Sequence, residues 1–192
     1  MKNEVEKNQE KYPFHVTLQL NARFRPLDRG ELEDALQSVL ERLELGSVDG
    51  GGTMLQPSGE VKFCDIEICL MNHSDDTWEK LEKIINHFGV PKGSKLHAGE
   101  KSRLVGEQEG LAVYLNGTDL PDEVYASCDV NYVIEQMNLL MGKEGAMYSY
   151  WQGPAETALY FYGTSFEKMQ QAIVGFTEKY PLCRNCRIVQ IA

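Results

Sequence analysis

The chain of 192 residues has an ordinary globular composition, with 42% hydrophobic and 25% charged residues. Its length suits one large domain or two small ones. Asp and Glu number 29 against 19 Lys and Arg, which gives a formal net charge of −10. A surface of that charge repels phosphate groups, so the composition disfavours nucleic acid and anionic membranes as partners and favours a basic protein.

The sequence shows no membrane span and no signal peptide. No stretch approaches the roughly 18 apolar residues that a spanning helix needs, and the opening MKNEVEKNQEK is polar throughout. We therefore predict a cytoplasmic protein. Five cysteines are present, and in a reducing compartment we expect free, mostly buried thiols.

The first half of the chain predicts the element order β-α-β-β-α-β. Apolar residues alternate with polar ones in the strands, and they recur at helical spacing in the helices. The predicted elements are strands over 14–20, 46–55, 60–70 and 94–97, and helices that begin at Asp28 and at Asp75 or Asp76.

The second half repeats this order from Gly110. Its predicted elements are strands over 111–117, 147–151, 157–162 and 187–191, a helix over 121–140 and a helix capped by Ser165. The two halves also share local sequence, such as LNARFRPL and LNGTDLPD after their first strands. We interpret the chain as a divergent internal duplication.

The predicted fold class is α+β, with two tandem ferredoxin-like β-α-β-β-α-β units, each an antiparallel sheet with helices on one face. The predicted division is a flexible N-terminus over 1–11, a first repeat over 12–98, a charged connection over 99–109 and a second repeat over 110–192. The alternative is a single α+β domain in which both halves share one continuous sheet.

A CxxC motif, Cys183-Arg184-Asn185-Cys186, lies near the end of the sequence. In redox sites this motif opens a helix, whose N-terminal amides stabilise a thiolate, whereas here it follows a predicted helix end. A structural zinc site needs about four ligands, and the sequence offers no second cysteine or histidine pair. We predict two reduced thiols in a turn, and no cofactor, metal ligand or catalytic residue anywhere in the chain.

Two further patterns are candidate contact surfaces. Asp65 and Glu67 lie two apart on a predicted strand and so share a face, where paired carboxylates can transfer protons or bind a cation; a solvated strand face is the simpler interpretation. The glycines of Val48-Asp-Gly-Gly-Gly-Thr53 precede a strand instead of a helix, which favours a bulged or mobile strand over a phosphate loop.

Aromatic residues alternate along the second predicted hairpin, at Tyr148, Tyr150, Tyr160 and Tyr162, with Trp151 near its turn. Sheets that recognise RNA stack bases on aromatic side chains placed in this way. This hairpin, however, has no basic residue and no ribonucleoprotein signature. We predict that the rings pack in a core or in a seam between sheets, with a patch for a protein or small molecule as the alternative.

The stretches GSVDGGGTMLQPSGEVKFCDIEICL, GVPKGSKL and GPAETALYFYGTSFEKMQQAIVGFTEKYPLCRNCRIVQIA resemble uncharacterised bacterial proteins with tandem ferredoxin-like repeats. The resemblance covers most of the chain after residue 12 and implies the fold, without any catalytic residue. Small acidic α+β proteins of this kind are similar in character to immunity proteins of bacterial toxin systems, which is an analogy of fold and charge.

The leading functional hypothesis is a non-enzymatic cytoplasmic binding protein, an immunity or regulatory module that binds a protein partner. The alternative is a small-molecule sensor or enzyme with its site between the two repeats. The contact residues predicted for either role are Asp65, Glu67, Tyr148, Tyr150, Trp151, Tyr160 and Tyr162.

Overall fold

The computed structural model describes residues 11–192, so that almost all of the predicted flexible N-terminus lies outside the described residues. The strands are β1 Phe14–Leu20, β2 Gly46–Leu55, β3 Val61–Leu70, β4 Ser94–Ala98, β5 Lys101–Val105, β6 Glu109–Asn116, β7 Gly145–Gln152, β8 Glu156–Gly163 and β9 Arg187–Gln190. The helices are α1 Pro26–Arg42, α2 Asp75–His87, α3 Asp122–Ser127, α4 Val130–Met141 and α5 Phe166–Thr177, with 3₁₀ turns at Gly142–Glu144 and Pro181–Cys183.

The strands form two antiparallel sheets, with the orders β2-β3-β1-β4-β5 and β7-β8-β6-β9. In both sheets the first strand of the unit lies between its third and fourth strands, which is the topology of a ferredoxin-like unit. The structure thus confirms the predicted α+β fold with tandem ferredoxin-like units. Within residues 11–192 the two halves form separate sheets, so the alternative of one continuous sheet is wrong.

The described residues divide into two compact units: 11–54 with 62–107, and 55–61 with 108–192. We call these the first unit and the second unit. The predicted connection over 99–109 contains β5, which pairs with β4 and extends the first sheet. Only Val105 of its five residues is buried, so the strand has no alternating apolar pattern that sequence reasoning could detect.

Two helix starts differ from the prediction. α1 begins at Pro26, two residues before the predicted start, because Pro at the first helical position costs no hydrogen bond. Asp28 still stabilises this end, since its carboxylate accepts from the backbone N–H of Arg25 at 3.1 Å. α2 is capped by Ser74, whose hydroxyl accepts from the backbone N–H of Thr77 at 3.2 Å, instead of by one of the acidic residues that follow.

The helix predicted over 121–140 is broken in two. Cys128 and Asp129 have extended backbone between α3 and α4. The carboxylate of Asp129 accepts from the backbone N–H of Asn131 at 2.8 Å and caps α4, which makes the break a defined helix start. None of the helices within residues 11–192 is long and apolar enough to cross a bilayer.

Each unit buries the helix-side face of its sheet together with one side of its helices. In the first unit the fully buried side chains include Val16, Leu18, Leu20, Leu36, Leu40, Ile66, Ile68, Trp78, Leu81 and Ile85. In the second unit they include Leu111, Val113, Val133, Met137, Leu159, Phe161, Met169 and Ile173. Burial of each aliphatic side chain stabilises the fold by roughly 2 kcal/mol relative to exposure.

The glycine-rich segment lies within strand β2, beneath α1, and Gly50 there has a φ of +124°, a backbone conformation that favours glycine. The guanidinium of Arg29 donates to the Glu33 carboxylate and to the Thr53 hydroxyl, both at 2.5 Å, and the side chains of this ion pair are only 11% and 19% exposed. A Cβ at Gly51 would clash with the Asp65 backbone oxygen and with the ion pair. The glycine therefore allows two buried charges to lie directly on the strand.

We expect Gly51→Ala to lower the free energy of unfolding by about 1–3 kcal/mol, because the added methyl group overpacks this contact. Gly52→Ala is the matched control, since a Cβ at Gly52 meets nothing within 4 Å, and it should change stability by less than about 0.5 kcal/mol. Denaturant unfolding measures both variants. Equal effects at the two positions would contradict the packing described here.

Candidate functional site

The aromatic residues of the second hairpin lie on both faces of the second sheet. Tyr160 and Tyr162 are 0% and 1% exposed and alternate with Leu159 and Phe161, which belong to the helix-side core. Their rings therefore pack against the face of the sheet that is opposite to the helices. Being buried, these two rings do not form an exposed patch.

A carboxylate lies on this face between tyrosine hydroxyls. Oε1 of Glu60 accepts from the Tyr114 hydroxyl at 2.7 Å and from the Tyr160 hydroxyl at 2.8 Å, and Glu60 itself is only 9% exposed. Glu60 belongs to the segment 55–61, which clusters with the second unit. Two phenol donors are the kind of partners that a buried carboxylate requires.

The other aromatic residues of the hairpin have three different environments. β7 contains a bulge between Met147 and Ser149, and there Tyr148 is 48% exposed with its ring edge-on to Tyr162, 5.9 Å between centroids. Trp151 is half-buried and pairs with Ala158 on the face of Tyr160. Tyr150 pairs with Leu159 on the helix side, where it lines a cavity.

The cavity has a volume of about 460 Å³. It lies within the second unit, beside the end of β6, the start of α4 and the β7–β8 hairpin. Its apolar lining consists of Leu115, Val130, Ile134, Leu159 and Leu182. Its polar lining consists of Asn116, Tyr125, Asn131, Tyr150, Gln152 and Thr157. No lining residue carries a formal charge.

Two of the polar side chains that line the cavity, Asn116 and Tyr125, form hydrogen bonds with the backbone of the loop that follows β6. The side-chain oxygen of Asn116 accepts from the backbone N–H groups of Thr118 and Asp119 at 3.0 and 2.8 Å. The Tyr125 hydroxyl accepts from the backbone N–H of Leu120 at 3.0 Å and donates to the backbone oxygen of Asn116 at 3.3 Å. This wall of the cavity is therefore formed before any ligand arrives.

Three other polar groups are available to a ligand. The side chains of Asn131 and Gln152, which are exposed, and of Thr157, which is half-buried, make no hydrogen bond with any other residue in the described part of the chain. An amide and a hydroxyl offer both donors and acceptors. The cavity thus combines an apolar floor with uncommitted hydrogen-bonding groups, which is the usual composition of a ligand site.

Asp65 and Glu67 lie on the face of the first sheet opposite to its helices. Each carboxylate is half-buried and accepts from the neighbouring strand β1: Asp65 from the Gln19 amide at 3.3 Å, and Glu67 from the Thr17 hydroxyl at 3.0 Å. They are thus part of a cross-strand polar network. The two carboxylates belong to the first unit and the hairpin aromatic residues to the second, so neither unit alone contains both predicted sets.

The same face contains a cluster that the sequence analysis missed. His15 lies directly opposite Cys69 on adjacent strands, with 3.5 Å between Nδ1 and Sγ. A carboxylate oxygen of Asp49 lies within 4.8 Å of both atoms. Because these three residues come from three strands, no local spacing motif connects them, and only the sheet order brings them together.

This cluster does not provide a reactive thiolate. Burial, followed by the charge of Asp49, raises the pKa of the Cys69 thiol to about 11. At neutral pH the thiol is therefore protonated, and nucleophilic attack requires the thiolate.

The CxxC thiols are also protonated at neutral pH. The five cysteines carry free thiols. Burial raises the pKa of Cys183 to about 12 and also raises that of Cys186. Cys183 ends the 3₁₀ turn that follows α5 and packs in the core of the second unit, which is the environment of a small apolar side chain.

No protein-family profile and no curated protein matches the sequence. Among solved structures, the first two RNA-recognition domains of yeast poly(U)-binding protein match with 14% identity over 92% of this chain and 99% of theirs, at a TM-score of 0.26. A mutant chlorite dismutase from Candidatus Nitrospira defluvii matches with 9% identity over 96% of this chain and 93% of its own, at a TM-score of 0.31. The regulatory subunit of aspartate kinase from Thermus thermophilus matches with 11% identity over 83% of this chain and 91% of its own, at a TM-score of 0.26.

Proposed function

We propose that this chain is a binding protein without catalytic activity, and that its recognition site is the cavity of the second unit. The observation that carries the proposal is the group of three uncommitted side chains, Asn131, Gln152 and Thr157, beside an apolar floor. Such a cavity favours a ligand that fills the apolar part and exchanges hydrogen bonds with the polar part.

The lining also argues against chemistry at this site. General acid–base catalysis needs a group that titrates near the working pH, and nucleophilic catalysis needs an activated thiol, hydroxyl or amine. The lining contains no His, Cys, Asp, Glu, Lys or Arg, so the hydroxyl of Thr157 has no base beside it. The cavity supplies binding groups only.

The preferred ligand is a small, uncharged molecule with an apolar or aromatic part. A charged group would lose part of its hydration in the cavity, which is open to solvent beside Asn131 and Gln152, without gaining a partner of opposite charge. The volume of about 460 Å³ lies in the lower half of the range for ligand cavities. The ring of Tyr150 offers an aromatic surface for stacking.

This proposal is tested with matched neutral and anionic probes. We expect N-acetyltyrosinamide, or another member of a panel of neutral aromatic amides, to bind in ligand-observed NMR at least about tenfold more tightly than the matching carboxylate, since the carboxylate must be desolvated. Val130→Trp should abolish binding because the larger ring fills the cavity.

Val174→Trp provides the control. It makes the same change at a valine of α5 that is exposed and is not among the residues that line the cavity, so it should bind like the wild type. If no neutral probe of the panel binds, or if Val130→Trp binds normally, the cavity is not the recognition site.

A basic protein partner is the second candidate, and it is favoured by the net charge of −10. In this role the chain would act in the cytoplasm as an immunity or regulatory module, in line with its resemblance to acidic bacterial α+β proteins. Long-range attraction to a basic surface speeds association and weakens with salt.

We expect affinity capture from a native extract to recover a basic protein whose association rate falls at least about tenfold between low and physiological ionic strength. Recovery of no partner, or of a partner whose association does not depend on salt, would rule out this second role. The Val130→Trp variant separates the two candidates, because filling the cavity should not change binding through surface charge.

A further inference from the structure

We propose that His15, Asp49 and Cys69 of the first unit form a zinc site. The site rests on the geometry of three neighbouring strands and is independent of the cavity in the second unit. Within residues 11–192, this is the place where three side chains of the ligating types His, Cys, Asp and Glu have donor atoms within 4.8 Å of one another.

The donor set suits zinc. Thiolate, imidazole and carboxylate are the three side-chain ligands of Zn²⁺, and sites with three protein ligands keep the fourth tetrahedral position open. Because the ligand is the thiolate, Zn²⁺ binding would displace the Cys69 thiol proton to solvent. Alkaline-earth cations prefer oxygen-only ligand sets, so the thiol and the imidazole disfavour Ca²⁺ and Mg²⁺ here. The open position would take water or a donor atom from a bound molecule.

The distances are close to those of a formed site. Zinc bonds of about 2.0–2.3 Å in tetrahedral geometry place the ligand atoms about 3.3–3.8 Å apart. Nδ1 of His15 and Sγ of Cys69 are already 3.5 Å apart. Asp49 is exposed and its carboxylate lies within 4.8 Å of the other two donor atoms, so it needs to move by at most about 1.5 Å, which is small for a side-chain rotation.

The scaffold and the local charge support the same conclusion. β1 and β3 hold His15 and Cys69 in register as a cross-strand pair, and β2, which carries Asp49, is the other neighbour of β3. Glu67 lies two residues before Cys69 and accepts from Thr17, so a second carboxylate lies on this face. A divalent cation would be attracted to this negative region.

The test uses reduced, metal-free protein without a histidine tag. Calorimetric titration with Zn²⁺ should show one equivalent bound, and Co²⁺ should give a thiolate-to-metal charge-transfer band. His15→Gln and Asp49→Asn change exposed residues, and each should weaken Zn²⁺ binding at least about tenfold. Zn²⁺ should also raise the melting temperature of the wild type but not of these variants.

Two control variants locate the metal. Asp65→Asn changes the carboxylate that lies two residues before Glu67 on the same face of β3, and Cys186→Ser removes a half-buried thiol of the CxxC motif; both should retain the cobalt band and the zinc affinity. Cys69→Ser should lose the band. No stoichiometric binding by the wild type, or unchanged binding by both His15→Gln and Asp49→Asn, would overturn the proposal.

Discussion

One carboxylate oxygen, Oε1 of Glu60, accepts hydrogen bonds from two tyrosine hydroxyls, at 2.7 Å from Tyr114 and 2.8 Å from Tyr160. Burying either group without the other would cost free energy, because a buried phenol needs an acceptor and a buried carboxylate needs donors. Together they hold the segment 55–61 against the aromatic face of the second sheet. The cavity that Tyr150 lines is on the other side of this sheet, the helix side.

The two units share one topology and present different chemistry on the face away from their helices. In the first unit this face is polar, with Asp65 and Glu67 paired to β1 and the cluster of His15, Asp49 and Cys69 beside them. In the second unit the same face is aromatic and buried. The fold therefore fixes where side chains point, and the residue types at those positions decide what each face can bind.

The fold was predictable because periodicity is a local property and each half carries it twice. The strand alternation and the helical stripes of the two halves gave the same element order, and the order of the strands in each sheet followed from it. β5 escaped prediction because four of its five residues are not buried. Its pairing is fixed by β4 alone, through backbone hydrogen bonds that carry no sequence signature.

The candidate sites were predictable only in part. Alternation alone would place Tyr148 and Tyr150 on one face, but the bulge in β7 changes the register between Met147 and Ser149. The cavity lies beside the start of α4, whose separation from α3 at Cys128 and Asp129 was missed because apolar residues continue at helical spacing through the break. The cluster of His15, Asp49 and Cys69 joins residues that are as far apart as 54 positions in the chain, which no spacing rule can connect.

The most direct test of this account is a double-mutant cycle on Glu60 and Tyr160, measured as free energies of unfolding. Tyr160→Phe removes one donor to a buried carboxylate and should cost about 1.5–3 kcal/mol in the wild type. In a Glu60→Leu background the same change should cost at least about 1 kcal/mol less, because the shared interaction is already gone. If Tyr160→Phe is neutral in the wild type, or costs the same in both backgrounds, the hydrogen bond between Tyr160 and Glu60 does not hold the segment 55–61 to the aromatic face.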